Sequence, residues 1–167
     1  MATFLSTFLM KVDKKGRVSV PATFRAALNQ GQAHPAFSGI IAFASPVASA
    51  IDARGRAEFD ALLSQLRSHA VANVGPDLAL LGGAETGADQ ILAAAAAELP
   101  FDGEGRIVLP EPFLAHAGIG EQVNFVGRGS FFQIWSPENF AAQQANDLGK
   151  VRSRLLAGRP AGDRGKQ

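Results

Sequence analysis

Two stretches of this chain decide its fold: Val12-Asp13-Lys14-Lys15-Gly16-Arg17-Val18-Ser19-Val20-Pro21-Ala22-Thr23-Phe24 and Phe101-Asp102-Gly103-Glu104-Gly105-Arg106-Ile107-Val108-Leu109-Pro110-Glu111-Pro112-Phe113. They align without gaps at an offset of 89 residues, and Asp, Gly, Arg, Pro and Phe are identical. Val18 matches Ile107 and Val20 matches Leu109 in apolar character. Fixed-offset self-similarity of this kind points to two homologous units. Each unit has the same local grammar. An apolar strand runs into Asp-x-x-Gly-Arg, where glycine supplies the positive φ of a tight turn. Alternation resumes as Val18-Ser19-Val20 and Ile107-Val108-Leu109, a strand with one buried face. Pro21 and Pro110 then fit the first position of a short helix, where a missing N–H costs nothing. Gly118 ends that helix in the second unit.

Outward from these stretches, the second unit continues as strand Gln122-Val123-Asn124-Phe125-Val126, a hairpin turn at Gly127-Arg128-Gly129-Ser130, and a return strand Phe131-Phe132-Gln133-Ile134-Trp135. Ser136 and Pro137 open a helix that runs to about Leu156. In the first unit, strands at Gly39–Phe43 and Ala50-Ile51 precede a helix with an apolar stripe at Phe59, Leu62, Leu63 and Leu66. The alanine run predicts a helix over roughly 87–96. The alignment with Leu9-Met10-Lys11-Val12 predicts a strand over 98–101, with Pro100 where no ladder N–H is needed. The domain boundaries follow as 1–80, 81–157, and a flexible polar tail over 158–167.

Composition limits the function classes. With 167 residues and 47% hydrophobic content the chain is a folded domain or two small ones. It has no cysteine, so disulfides, thiolate zinc sites and cysteine nucleophiles are excluded. No stretch reaches the ~20 apolar residues of a membrane span. The N-terminal stretch carries its charge after its apolar part, unlike a secretory signal, and the expected compartment is the cytoplasm. His34, His69 and His116 are far apart and lack metal-ligand spacing. Gly127-Arg128-Gly129-Ser130 is no nucleophile elbow, and the glycine-rich stretch 82–87 is no P-loop. No catalytic residue, metal or cofactor is expected, and the chain does not read as an enzyme. Phe24, Phe113 and Phe125 read as core. Phe131 and Phe132 face opposite sides of their strand, one of them toward a neighbouring subunit.

The formal charge of +1 splits into +4 over 1–31, −7 over 32–146 and +4 over 147–167. A polyanion therefore meets the two ends of the chain. The two turns differ in the same sense. Asp-Lys-Lys-Gly-Arg has three cations against one carboxylate, and Asp-Gly-Glu-Gly-Arg has one against two. Lys14 and Lys15 suit phosphate contacts, Arg17 suits a bidentate guanine contact, and Arg25 adds a further phosphate contact. Asp13 with Arg17, and Asp102 with Arg106, also read as ion pairs that fix their turns, with Gly16 and Gly105 at the bends. Asp13, Gly16, Asp102, Gly105 and Arg106 form that structural motif.

Asp-x-x-Gly-Arg followed by apolar alternation and proline resembles the swapped-hairpin barrel of AbrB-type DNA-binding domains. Two such units, with Gly105–Pro110 and Val126–Pro137 as they stand here, are similar to the MraZ family over residues 8 to about 150. The similarity is weak over 30–97. The resemblance implies a mixed α/β fold with a mainly β barrel core, built from two tandem AbrB-like repeats with pseudo-two-fold symmetry and flanking helices. It implies a bacterial, nucleoid-associated regulator of the division and cell-wall gene cluster that binds repeated promoter elements in double-stranded DNA as a ring-shaped homo-oligomer. The alternative is a protein-interaction barrel, antitoxin-like or scaffolding, which has no need of Lys14 and Lys15 on the turn.

Overall fold

A computed structural model describes residues 3–30, 37–74 and 87–158, so the expected flexible tail over 158–167 lies outside the described residues except for Gly158. The strands are β1 (Thr7–Lys11), β2 (Arg17–Ser19), β3 (Gly39–Ala44), β4 (Ala50–Arg54), β5 (Ala97–Pro100), β6 (Arg106–Val108), β7 (Gln122–Gly127) and β8 (Phe132–Trp135). The helices are α1 (Ala22–Gln30), α2 (Arg56–Val74), α3 (Ala88–Ala95), α4 (Glu111–Ala117) and α5 (Pro137–Ala157). Six strands form one antiparallel sheet in the order β1-β7-β8-β4-β3-β5, and β2 pairs with β6 in a separate ribbon.

Strands from residues 1–80 and 81–157 thus interleave in one sheet. The order reads the same reversed when β1 is exchanged with β5, β3 with β7 and β4 with β8. In the ribbon, Val18 lies directly opposite Ile107, the residue 89 positions on. In the sheet, Asp52 lies opposite Gln133, and its carboxylate accepts a 2.7 Å hydrogen bond from the Gln133 amide.

The expected closed barrel is corrected. β1 and β5 stand at opposite edges of the sheet and do not pair with one another. Among the described residues, Val12↔Val18 is the one β-bridge that joins the three-residue ribbon to the end of a sheet strand, too little to carry continuous pairing around a barrel. Pro100 sits on the edge strand β5, where its missing N–H is harmless. The proline positions are also corrected by one residue. Pro110 is the extended N-cap residue before α4 (φ −58°, ψ 144°), and α1 likewise starts at Ala22, after Pro21. Gly118 ends α4 at φ +63°, and the Ile119 N–H reaches back to the Leu114 carbonyl at 2.9 Å. Ser136 caps α5 by accepting from the Asn139 N–H at 3.1 Å.

The main core lies between the sheet and the layer formed by the ribbon, α1 and α4. Phe24 is its hub, with ring centroids 5.4 Å from Phe4, 5.4 Å from Phe8 and 4.9 Å from Phe132. Phe113 and Phe125 are buried in the same cluster. On the other face, α2 and α3 cover Ile41 and Phe43, while α5 covers Val126 and Trp135 through Phe140. Phe132 points into the main core, and Phe131 is half-buried outside it, its ring 4.7 Å from the Arg54 guanidinium.

Candidate nucleic-acid interface

Both Asp-x-x-Gly-Arg turns close by the same hydrogen bonds. The Asp13 N–H donates to the Arg17 carbonyl at 3.0 Å, and the Asp102 N–H to the Arg106 carbonyl at 2.9 Å. The Gly16 and Gly105 N–H groups donate back to Asp13 and Asp102 at 3.0 and 3.1 Å. Both glycines need the left-handed region, at φ +79° and +74°. Each turn is then tied to the other unit: the Val20 N–H donates to the Gly105 carbonyl at 3.1 Å, and the Leu109 N–H to the Gly16 carbonyl at 2.9 Å.

The aspartates organise the arginines. Asp13 accepts from the Lys15 and Arg17 backbone N–H groups at 2.9 Å each and from Arg17 Nε at 2.6 Å. Asp102 accepts from the Glu104 and Arg106 N–H groups at 2.9 Å each and from Arg106 Nε at 2.8 Å. The backbone donors at Arg17 and Arg106 are the main reason both carboxyls are held below the usual carboxylate range. Each arginine is therefore aimed by a carboxylate that stays ionised at neutral pH.

Strand alternation decides which side chains face outward. Val18 and Ile107 are buried, so Arg17 and Ser19 from β2, and Arg106 and Val108 from β6, share the outer face of the ribbon. Because the strands are antiparallel, the two turns flank that face from opposite ends. Lys14 and Lys15 are exposed on the first turn, and among the described residues their ammonium groups make no hydrogen bond or ion pair. Arg106 has two carboxylates, Asp102 at 2.8 Å and Glu104 at 3.6 Å, whereas Arg17 has one.

Arg25 is placed differently from an open surface cation. Its Nε donates to the Val20 carbonyl at 3.1 Å. Its guanidinium lies over Gly105, so close that a Cβ there would meet Arg25 nitrogen at 2.5 Å. Arg25 thus brings a cation from the first unit onto the acidic second turn. Its aligned counterpart, Leu114, sits over Gly16 with a methyl 3.9 Å from a Cβ placed there. A groove of about 860 Å³ runs beside the first turn, its charged lining made of Lys11, Asp13, Lys14, Glu121 and Glu138. Two lysines there face three carboxylates, so the cationic surplus belongs to the turn and the ribbon face rather than to the groove.

Sequence reading misses one polar cluster at the sheet centre. Gln133 links Asp52 to Arg128 (3.0 Å) and to the Trp135 indole N–H (3.1 Å), and Arg128 reaches Asp147 at 3.3 Å. Burial pushes the Asp52 carboxyl above its usual range. Period-two alternation leads one to expect Asp52 and Gln133 in solvent, but both are buried.

A mixed α/β domain with a mostly antiparallel sheet and an arginine-bearing ribbon beside a cationic turn is the class that these features define. The family described as "MraZ protein, putative antitoxin-like" matches residues 92–155. A "Transcriptional regulator MraZ" of Rickettsia bellii (strain OSU 85-389) is 43% identical over 141 residues, spanning 84% of this chain and 85% of the relative. Proteins of the same name in Rickettsia canadensis (strain McKiel) and Rickettsia akari (strain Hartford) are 40% and 39% identical over 140 residues each. The chain belongs to the MraZ family, a family of transcriptional regulators rather than a family named for an enzyme activity. Among the described residues no helix is long and apolar enough to cross a membrane.

Proposed function

We propose that this chain is a sequence-specific double-stranded DNA-binding regulator, made of two tandem AbrB-like repeats and acting as a homo-oligomer. The observation that carries the reading is the outer ribbon face, where Arg17 is aimed by Asp13 beside exposed Lys14 and Lys15. Lys14 and Lys15 neutralise phosphates and set affinity. Arg17, oriented by its carboxylate, reads a base edge in the major groove, which admits a two-stranded ribbon. Arg25 supplies a phosphate contact from the side of the second turn and offsets Asp102 and Glu104. Arg106, held by two carboxylates, fixes its turn.

The duplication reading is supported by the sheet order that is unchanged by exchanging the units and by Val18 facing its own counterpart Ile107. A pseudo-two-fold axis would pass between β2 and β6 and between β4 and β8. One cationic turn per chain gives few phosphate contacts, so several copies in a ring raise affinity through effective concentration. The targets are repeated promoter elements of the division and cell-wall gene cluster, in the nucleoid of the cytoplasm. An interaction barrel without DNA readout is the weaker reading, because it leaves the cations of the first turn without a task.

Fluorescence anisotropy of the full chain with a duplex from upstream of its own gene, against a scrambled duplex of equal length, tests the function. Tighter binding to the native duplex, weakening steeply with salt, is expected. Equal affinity for both duplexes, or none at physiological salt, contradicts it.

A further inference from the structure

The two arginines on the outer face of the ribbon are equivalent by the 89-residue offset, but their neighbours are not. Ser19 aligns with Val108, and each stands opposite the other unit's arginine: Val108 faces Arg17, and Ser19 faces Arg106. Val108 is 54% exposed and is part of none of the core clusters among the described residues. A single apolar side chain on a surface is ordinary. What sets Val108 apart is where it stands.

The ladder fixes how close it lies to Arg17. The Val20 N–H bonds the Gly105 carbonyl and the Leu109 N–H bonds the Gly16 carbonyl, so Val20–Gly105 and Gly16–Leu109 are hydrogen-bonded positions. Antiparallel pairs alternate, which makes Arg17–Val108 a non-hydrogen-bonded pair. The Arg17 backbone agrees: its N–H and its carbonyl both engage Asp13 instead of β6. In such pairs the Cα atoms are about 4.5 Å apart and the side chains are at their closest. Val108 belongs to the second unit in sequence, yet it stands at the first turn, since Leu109 beside it is tied to Gly16. The end of the ribbon with Lys14, Lys15 and Arg17 therefore carries Val108, and the end with the acidic turn carries Ser19.

Arg17 is held by Asp13 through Nε, which leaves its two terminal nitrogens as the pair that a guanine edge takes. Successive bases are stacked about 3.4 Å apart. A side chain whose Cβ is about 5 Å from that of Arg17 then meets the base pair next to the guanine. The apolar partner that the major groove offers a valine is the C5-methyl group of thymine. Against hydrogen-bonding groups of other bases, the same side chain covers donors or acceptors that it cannot satisfy.

We propose that Val108 is a specificity-determining residue that selects, through the C5-methyl group, a thymine on the base pair next to the guanine read by Arg17. This rests on the DNA-binding reading given above and names two neighbouring base pairs within the recognised element. The second unit thereby takes part in base readout with an apolar side chain, although its own turn is acidic.

The test is fluorescence anisotropy of the full chain on the duplex from upstream of its own gene, with each thymine replaced in turn by deoxyuridine. That replacement keeps the base pair and its hydrogen-bonding groups and removes the methyl alone. A thymine beside a guanine is expected to be the sensitive position, with affinity falling about fourfold, as for one buried methyl. Val108→Ala, with oligomer mass and melting temperature unchanged, is expected to bind the native duplex more weakly and to be indifferent to the replacement. A native chain that binds every deoxyuridine duplex like the native one overturns the assignment while leaving the DNA-binding reading intact. So does a sensitive thymine with no guanine beside it, or a Val108→Ala protein that still loses affinity at the same thymine. A Val108→Ala protein of reduced oligomer mass places the residue in a subunit contact and also overturns it. A native chain with equal affinity for the native and a scrambled duplex overturns the DNA-binding reading, and the assignment with it.

Discussion

Replacing Lys14 and Lys15 together by alanine removes two of the three cations of the first turn and leaves its geometry alone. Neither side chain makes a hydrogen bond or ion pair within the described residues, and the turn is closed by Asp13, Gly16 and Arg17. Each cation engaged at a phosphate contributes about 0.9 to the slope of log affinity against log salt. With Lys14, Lys15 and Arg25 at phosphates, binding weakens about fortyfold between roughly 50 and 200 mM salt, and with Arg25 alone only about fourfold. The expected result is a slope reduced by about 1.8 per engaged chain, with the ranking of DNA sequences unchanged. Arg17→Ala is expected to flatten that ranking by about 1–3 kcal/mol at the base it reads. Arg106→Ala is expected to lower the melting temperature or the oligomer mass first. The assay is anisotropy at four salt concentrations, with mass and melting measured on every variant. An unchanged slope in the double lysine variant refutes the reasoning. So does an Arg106→Ala protein that loses DNA while keeping its mass and melting temperature. Both turns would then face DNA, with Arg25 as the counter-charge of the second.

Gly105→Ala forces a side chain to φ +74° and drives a Cβ into the Arg25 guanidinium, and a denaturant melt is expected to show a loss of about 1–2 kcal/mol. Gly103→Ala, where a Cβ meets nothing within 4 Å, is expected to stay within about 0.5 kcal/mol. Phe24→Ala removes the ring that joins Phe4, Phe8 and Phe132, and is expected to cost about 3–5 kcal/mol in urea unfolding, more than Phe113→Ala at the aligned position. Burial raises the Asp52 carboxyl, so its ionisation opposes folding, and stability from this group rises as pH falls from neutral through the raised value. Asp52→Asn is expected to flatten that part of the melting-temperature-against-pH curve, whereas Asp52→Leu leaves the Gln133 amide donor unpaired at about 1–3 kcal/mol.

The local grammar of the fold is legible because it is written in residues with narrow conformational options. Gly16 and Gly105 mark positive φ, Gly118 stops a helix, Ser136 and Pro137 start one, and Pro100 marks an edge strand. Closure is not legible. Whether β1 and β5 meet depends on how many strands separate them, and no local pattern states that the order is β1-β7-β8-β4-β3-β5. The partners of Asp13 and Asp102 follow from spacing alone, since i and i+4 across a tight turn bring carboxylate and guanidinium together. Arg25 is harder. Its aligned residue is Leu114, so the alignment marks an apolar slot, and only the packing of α1 shows that the slot lies over the other unit's glycine. The Asp52–Gln133 pair escapes because each polar residue alone suggests solvent, and only the pairing of β4 with β8, 81 residues apart, brings the two together in a buried place.

A footprint of the purified full chain on the region upstream of its own gene, at physiological salt, tests the central claim most directly. The account predicts protection of short repeated elements at regular spacing, lost when Lys14, Lys15 and Arg17 are replaced together. Uniform protection, or a pattern that survives the triple replacement, contradicts it.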